Sequence, residues 1–261
     1  MSTTKHVKTD RFGHVLRITV DRPEALNVVN SELLAELTEA MAEAAANPEA
    51  RAVVITGAGD RAFVAGADIK EMSRKSSREG REFARQGHRL TRIIEEMEKP
   101  VIAAINGTAL GGGCELAIAC DVRIASERAV LGQPEVRLGI SPGWGATIRL
   151  ARLVGEGVAR EMIFSGRVLT AQEAHQVGLV NRVVPHKELA EEALKLASSM
   201  AAAGPIAVAY AKRSMNRARY LDMESALELE TSLFALCFST EDQQEGMNAF
   251  IEKRTPIFRR R

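Results

Sequence analysis

Cysteine and histidine are sparse in this 261-residue sequence, and their placement excludes more than their number does. Cys114, Cys120 and Cys237 are odd in count and form no C-x-x-C pair, so they read as reduced thiols of a cytosol-like compartment. His6, His14, His88, His175 and His186 are scattered without metal-ligand spacing, and no metal site is expected. There is no G-x-S-x-G nucleophile elbow and no suggested Ser/His/Asp set. Net charge is also lacking: the formal value of +1 gives no long-range pull toward nucleic acid or anionic lipid. The longest uncharged stretch, Val101 to Cys114, holds four glycines and is too short to span a bilayer. Met1 to Asp10 carries Lys5, His6 and Lys8 around no apolar core, unlike a signal peptide. The expectation is a cytoplasmic protein without nucleic-acid or membrane partners.

What is present suits a large globular domain. Apolar residues make up 46% and charged ones 26%, and a chain of this length buries roughly 70–75% of its unfolded surface without a staple. Strands are expected at Val15 to Val20, Ala52 to Thr56, Val101 to Ile105 and Val122 to Ala125. The second and third are wholly apolar, as in strands covered on both faces. Helices are expected at Ser31 to Ala46 with Ser31 as cap, at Glu79 to Met97 and at Thr147 to Leu153. Thr170 and Glu173 form a capping box for a helix that Gly178 ends. Past His186 the pattern is helical almost throughout: Leu189 to Ala202, Ile206 to Arg219, Glu224 to Phe238 and Glu241 to Arg254. The change of packing near Pro185 divides the chain at 1–185 and 186–261, and such a tail commonly packs on a neighbouring subunit.

Three segments carry chemistry. In Asn106-Gly107-Thr108-Ala109-Leu110-Gly111-Gly112-Gly113-Cys114-Glu115, successive glycines between a buried strand and a helix expose backbone amides where the helix dipole favours negative charge. Glu115 follows Gly112 by about one helical turn. The alternative is a tight packing loop beside a solvated glutamate. Ala65-Gly66-Ala67-Asp68-Ile69-Lys70 again places an amide at the mouth of a sheet, with Lys70 able to face a phosphate. Its alternative is a helix start capped by Asp68. In Gly132-Gln133-Pro134-Glu135, apolar neighbours Leu131 and Val136 favour a desolvated Glu135 with a raised pKa. The sequence permits a pairing of Glu115 with Glu135, which only the fold can bring together. Gly57-Ala58-Gly59-Asp60-Arg61-Ala62 matches a dinucleotide loop but does not open into a helix, so nicotinamide binding is set aside. Trp144, inside Pro142-Gly143-Trp144-Gly145, walls an acyl pocket or simply packs. The cluster from Arg74 to Arg81 and the Arg259-Arg260-Arg261 end read as solvated charge or as contacts near phosphates.

These motifs, with Asp21-Arg22-Pro23-Glu24-Ala25-Leu26-Asn27 and the stretch from Ser165 to Val180, resemble in order and spacing the crotonase (enoyl-CoA hydratase/isomerase) superfamily, from about residue 12 to Arg254. The resemblance implies an α/β fold, a spiral of ββα repeats over 1–185 holding the active site, and a helical trimerisation region over 186–261. It implies a homo-oligomer, a trimer or dimer of trimers. It implies an oxyanion hole from the amides of Ala67 and Gly112, with Glu115 and Glu135 as the catalytic pair. CoA-thioester contacts are implied for Ala25, Leu26, Asp68, Ile69, Lys70 and Gly143. Phe250 and Lys253 are implied to reach a neighbour's CoA. The implied activity is hydration of trans-2-enoyl-CoA, with no cofactor besides the CoA of the substrate. The alternatives are an enoyl-CoA isomerase, a branched-chain (methylglutaconyl-type) hydratase, and an RNA-binding or scaffolding homologue without turnover. Glu24 stands where many relatives carry lysine, and Trp144 and Ala146 replace smaller residues in some.

Overall fold

A computed structural model describes residues 5–261; residues 1–4, the first part of the segment judged above to lack a leader core, lie outside the described residues. The chain opens with a hairpin, β1 (Val7–Phe12) and β2 (Val15–Val20), then α1 (Ser31–Ala46). The cap of α1 is Asn30, whose side chain accepts from the Leu33 amide at 2.9 Å. Ser31, expected as the cap, instead spends its hydroxyl on Glu71.

Next come β3 (Ala52–Gly57), β4 (Ala62–Val64), α2 (Ile69–Met72) and α3 (Ser77–Glu96). They are followed by β5 (Val101–Ile105), β6 (Thr108–Leu110) and α4 (Gly112–Ala119). The third round is β7 (Val122–Ser126), β8 (Val130–Gly132), α5 (Ala146–Val154) and α6 (Glu156–Ser165). Then β9 (Val168–Thr170), α7 (Ala171–Gln176) and β10 (Arg182–Val184) lead to α8 (Leu189–Ala201), α9 (Pro205–Ala218), α10 (Met223–Cys237) and α11 (Glu241–Ile251).

Each round places its first strand in one sheet and its second in another. The six-stranded sheet runs β1-β2-β3-β5-β7-β10, parallel except for the β1–β2 pair. The four-stranded sheet runs β4-β6-β8-β9, with only β9 antiparallel. The result is a mixed α/β spiral of ββα turns. Alternation along β3 and β5 explains their unbroken apolar runs, because successive side chains leave a strand on opposite faces. Val53, Ile55, Val101, Ala103 and Ile105 join the main core, whereas Ala52, Val54, Ile102 and Ala104 join a second core on the other face. That second face is covered by Leu189, Ala193, Ala197 and Ala201 of α8. Gly57, the first glycine of the dinucleotide-like loop, ends β3, and the chain continues into β4 instead of a helix.

Among the described residues, no single helix is long and apolar enough to cross a membrane. Of the C-terminal helices, α10 buries only Leu233.

Candidate active site

The short strands of the small sheet deliver two loops to one cavity. Gly111, at φ +50°, turns the chain out of β6 and stands as the N-cap of α4. Its N–H donates to the Gly132 carbonyl at 3.0 Å, tying this loop to the one that carries Glu135. Gly112 is the first residue of α4, so its amide has no carbonyl four residues back and points out of the helix end. Gly113 is present because β4 passes too close for any side chain: a Cβ there would lie 1.9 Å from the Val64 carbonyl oxygen.

Ala67 follows β4 and forms an isolated parallel bridge with Val29. The Val29 N–H donates to the Gly66 carbonyl at 2.8 Å, and the Asp68 N–H donates back to Val29 at 2.9 Å. Those bonds use the peptide groups flanking Ala67. In extended backbone the Ala67 N–H therefore faces the opposite side and is not consumed by the bridge. Asp68 caps α2, its Oδ1 accepting from the Lys70 and Glu71 amides at 3.0 and 3.3 Å. The capped-helix reading of that loop thus holds, alongside its place at the cavity.

That cavity, about 930 Å3, is lined by Ala67, Gly112, Glu115 and Glu135 together. Glu115 is 2% exposed, and its Oε1 accepts from the Trp144 and Ala146 amides at 2.7 and 2.9 Å. Burial raises its pKa; the Ala146 and Trp144 amides and the Arg149 charge oppose that rise. Glu135 opens a short 3-10 turn ending at Leu138, after Pro134. Burial, and then the charge of Glu115, push Glu135 up to about 7 against its own backbone hydrogen bond. Its carboxyl lies against Gly111, where a Cβ would stand 3.2 Å from Oε1. The buried Gln133 amide meets Glu135 Oε1 at 2.8 Å. Either the NH2 donates to a carboxylate or a protonated carboxyl donates to the amide oxygen. Cys114, buried beside this pair, is pushed up to about 12 by burial and stays a neutral thiol.

Of the residues expected to touch a CoA thioester, Ala25, Asp68, Ile69, Lys70 and Gly143 line this cavity as well. Leu26, in a left-handed conformation at φ +53°, lines a smaller neighbouring pocket. Phe250 and Lys253 line neither. Trp144 does both things expected of it. It walls the cavity, and it packs 3% exposed against Phe83, ring centroids 5.5 Å apart. Its indole fits only because Gly87 of α3 lacks a Cβ, which would sit 2.2 Å from the ring.

Phe83, Leu138 and Ile140 line the cavity without any signal in the sequence, and Arg22, within the stretch Asp21 to Asn27, was not singled out. Arg22 stands at the rim, 3.5 Å from the Asp68 carboxylate. With Lys70 it places two cationic side chains on the cavity lining. Among the described residues no group of three or more His, Cys, Asp or Glu side chains is placed to hold a metal.

Two carboxyls and the two residues expected to offer main-chain donors thus line one cavity. The model of the enoyl-CoA hydratase/isomerase family matches residues 11–261. The chain belongs to that family. It is 49% identical to the short-chain-enoyl-CoA hydratase of Clostridium acetobutylicum, over 95% of each chain. It is 48% identical to the crotonyl-CoA hydratase of Syntrophomonas wolfei, over 92% of each. The crystal structure of enoyl-CoA hydratase from Bacillus anthracis superposes with a TM-score of 0.96 at 41% identity, covering 98% of this chain and 100% of that one.

Proposed function

We propose that the protein is an enoyl-CoA hydratase, a hydro-lyase that reversibly adds water to trans-2-enoyl-CoA to give 3-hydroxyacyl-CoA. The observation that carries this is the presence of Glu115 and Glu135 on one cavity with Ala67 and Gly112. The thioester carbonyl sits between the amides of Ala67 and Gly112. Water attacks the β-carbon, and charge gathers on the carbonyl oxygen as an enolate, which the two donors stabilise. Glu115, held by two amides through one oxygen, keeps the other for water and takes its proton. Glu135, with its pKa near neutrality, gives its proton to the α-carbon. This chemistry asks for no cofactor beyond the CoA of the substrate and for no metal. Ala25, Leu26, Asp68, Ile69, Lys70 and Gly143 are assigned to the CoA thioester.

The test is loss of enoyl-thioester absorbance over a ladder of 2-enoyl-CoA lengths, with 3-enoyl and methylglutaconyl thioesters alongside. Crotonyl-CoA is expected to be hydrated and the 3-enoyl substrate to react far more slowly. Faster isomerisation of the 3-enoyl thioester would reassign the protein to the isomerases. Retention of RNA at physiological salt without any thioester turnover would mark a non-catalytic homologue.

The tail is assigned to self-association in a cytoplasmic homo-oligomer. Phe250 is 86% exposed and Ile251 75%, and α10 leaves Met223 and Phe234 at 75% and 66%. Apolar exposure on this scale marks an association surface. It would let Phe250 and Lys253 serve a neighbour's CoA. Sedimentation of the intact chain is expected to give a trimer or a dimer of trimers; a monomer at micromolar concentration contradicts the assignment.

A further inference from the structure

Glu115 is aimed by a loop that runs through a glycine into the start of α5. Its Oε1 receives both the Trp144 and the Ala146 amides. Between them stands Gly145, at φ +111° and without a side chain to restrict rotation. The Gly145 carbonyl accepts from the Ile148 and Arg149 amides at 3.1 and 2.9 Å, and the peptide before it is held by the side chain of Arg149, one turn into α5. Its Nη1 donates to the Trp144 carbonyl at 2.7 Å. Its Nε and Nη2 donate to the two oxygens of Glu95, on α3, at 2.8 and 2.6 Å. Nη2 also reaches Thr91 Oγ1 at 3.3 Å. The guanidinium crosses directly over Gly145, where a Cβ would lie 2.2 Å from Nη1. Both partners are largely sheltered, with side-chain exposures of 18% and 26%.

We infer that Arg149, braced by Glu95, is a positioning residue for hydration: it locks the 144–145 peptide, between the two amides that hold Glu115, so that Glu115 presents its free oxygen to water. The inference rests on the reading of Glu115 as the base. The fork fits a carboxylate bidentately, so Glu95 sets the guanidinium's plane, and the remaining nitrogen sets the carbonyl. Pinning that carbonyl fixes the 144–145 peptide, the link between the two donor amides. The cation's charge also bears on Glu115, and the charge of Glu115 in turn bears on Glu135. Arg149 touches no reacting atom. Its effect reaches the chemistry only through the loop and its field.

The experiment compares Arg149→Met, Arg149→Lys and Glu95→Gln with the parent on crotonyl-CoA, with Glu115→Gln as the reference. Arg149→Met is expected to lower kcat by about 10- to 100-fold with KM within about 3-fold, because a misaimed group loses rate more than ground-state binding. Its low-pH limb should move up by about half a unit or more as Glu115 loses a nearby cation. Arg149→Lys, which keeps the charge, should restore the limb and part of kcat, and Glu95→Gln should fall in between. A folded Arg149→Met with parental kcat, or with its loss confined to KM, overturns the inference. So does a lower kcat with an unmoved limb and no recovery in Arg149→Lys. If Arg149→Met does not fold, parental kcat in both Arg149→Lys and Glu95→Gln overturns it equally. Full activity in Glu115→Gln would instead defeat the underlying reading of the site.

Discussion

Glu115→Gln and Glu135→Gln are each expected to lower kcat for crotonyl-CoA hydration by about 10²–10⁴-fold, the usual worth of a positioned acid or base. The substitutions are nearly isosteric. In Glu115→Gln the side-chain oxygen still accepts the Trp144 and Ala146 amides, so the residue keeps its place and only the basic oxygen is lost. KM should therefore change little. The pH profile follows from the two environments. Glu135 must carry its proton, and with its pKa pushed up to about 7 the rate should fall as pH rises through that value. Glu115 must be ionised, so the rate should also fall on the acid side. Glu135→Gln should flatten the alkaline limb of whatever rate remains.

A stability consequence has the opposite sign. The folded pKa of Glu135 lies above its ordinary value of 4.5, so the folded state binds the proton more tightly than the unfolded chain does. Its contribution is favourable at low pH and is lost as pH rises from about 4.5 to about 7. Glu135→Gln, which stays neutral, should thus melt no lower than the parent at pH 8 while being nearly inactive. Full hydration activity in either glutamine variant, measured by loss of enoyl absorbance, would remove both residues' assigned roles.

Gly113→Ala is expected to have the second largest effect, and for a steric reason. The added Cβ would fall 1.9 Å from the Val64 carbonyl oxygen and 2.8 Å from the Val64 Cβ. Neither is the end of a flexible chain, so α4 must withdraw from β4. Gly112 begins the first and Ala67 closely follows the second, so the two amides proposed to form the oxyanion hole would separate. Overpacking of this kind costs about 1–3 kcal/mol of stability. A displacement near 1 Å at the reacting centre costs about 10²-fold in rate. Gly157→Ala is the control: it sits in α6 with nothing within 4 Å of its Cβ, and both melting temperature and rate should match the parent or slightly exceed it. A Gly113→Ala enzyme with parental kcat would show that the close approach to Val64 does not set the hole.

Legibility in the sequence followed the range of the interactions involved. The helix Ser31–Ala46 and the strand Val101–Ile105 were read to the residue, because periodicity and apolar runs are local signals. The Thr170–Glu173 capping box also formed as read. The cap of α1 moved by one position, from Ser31 to Asn30, two residue types that cap almost equally well. The strands β4, β6, β8, β9 and β10 went unread. Three residues are too few to show alternation, and they become strands only through their neighbours. The helix Glu156–Ser165 was missed as well, with Gly155 just before it and Gly157 as its second residue.

The candidate site divides in the same way. Exposed amides at a glycine-rich helix start, and a carboxyl set among apolar residues after proline, are properties of short segments. Sequence alone therefore determined the types of group available at Ala67, Gly112, Glu115 and Glu135, and the alternation of strands and helices that carries them, while the ββα order came only with the family resemblance. Only the tertiary structure decided that these four line one cavity. It also decided that Glu115 is aimed by amides 29 and 31 positions away, and that those amides answer to an Arg149–Glu95 pair 54 positions apart. The physical reason is that desolvation, charge coupling and aim depend on what surrounds a group in space. A linear pattern records the group, whereas its surroundings come from strands and helices that meet only when the chain closes.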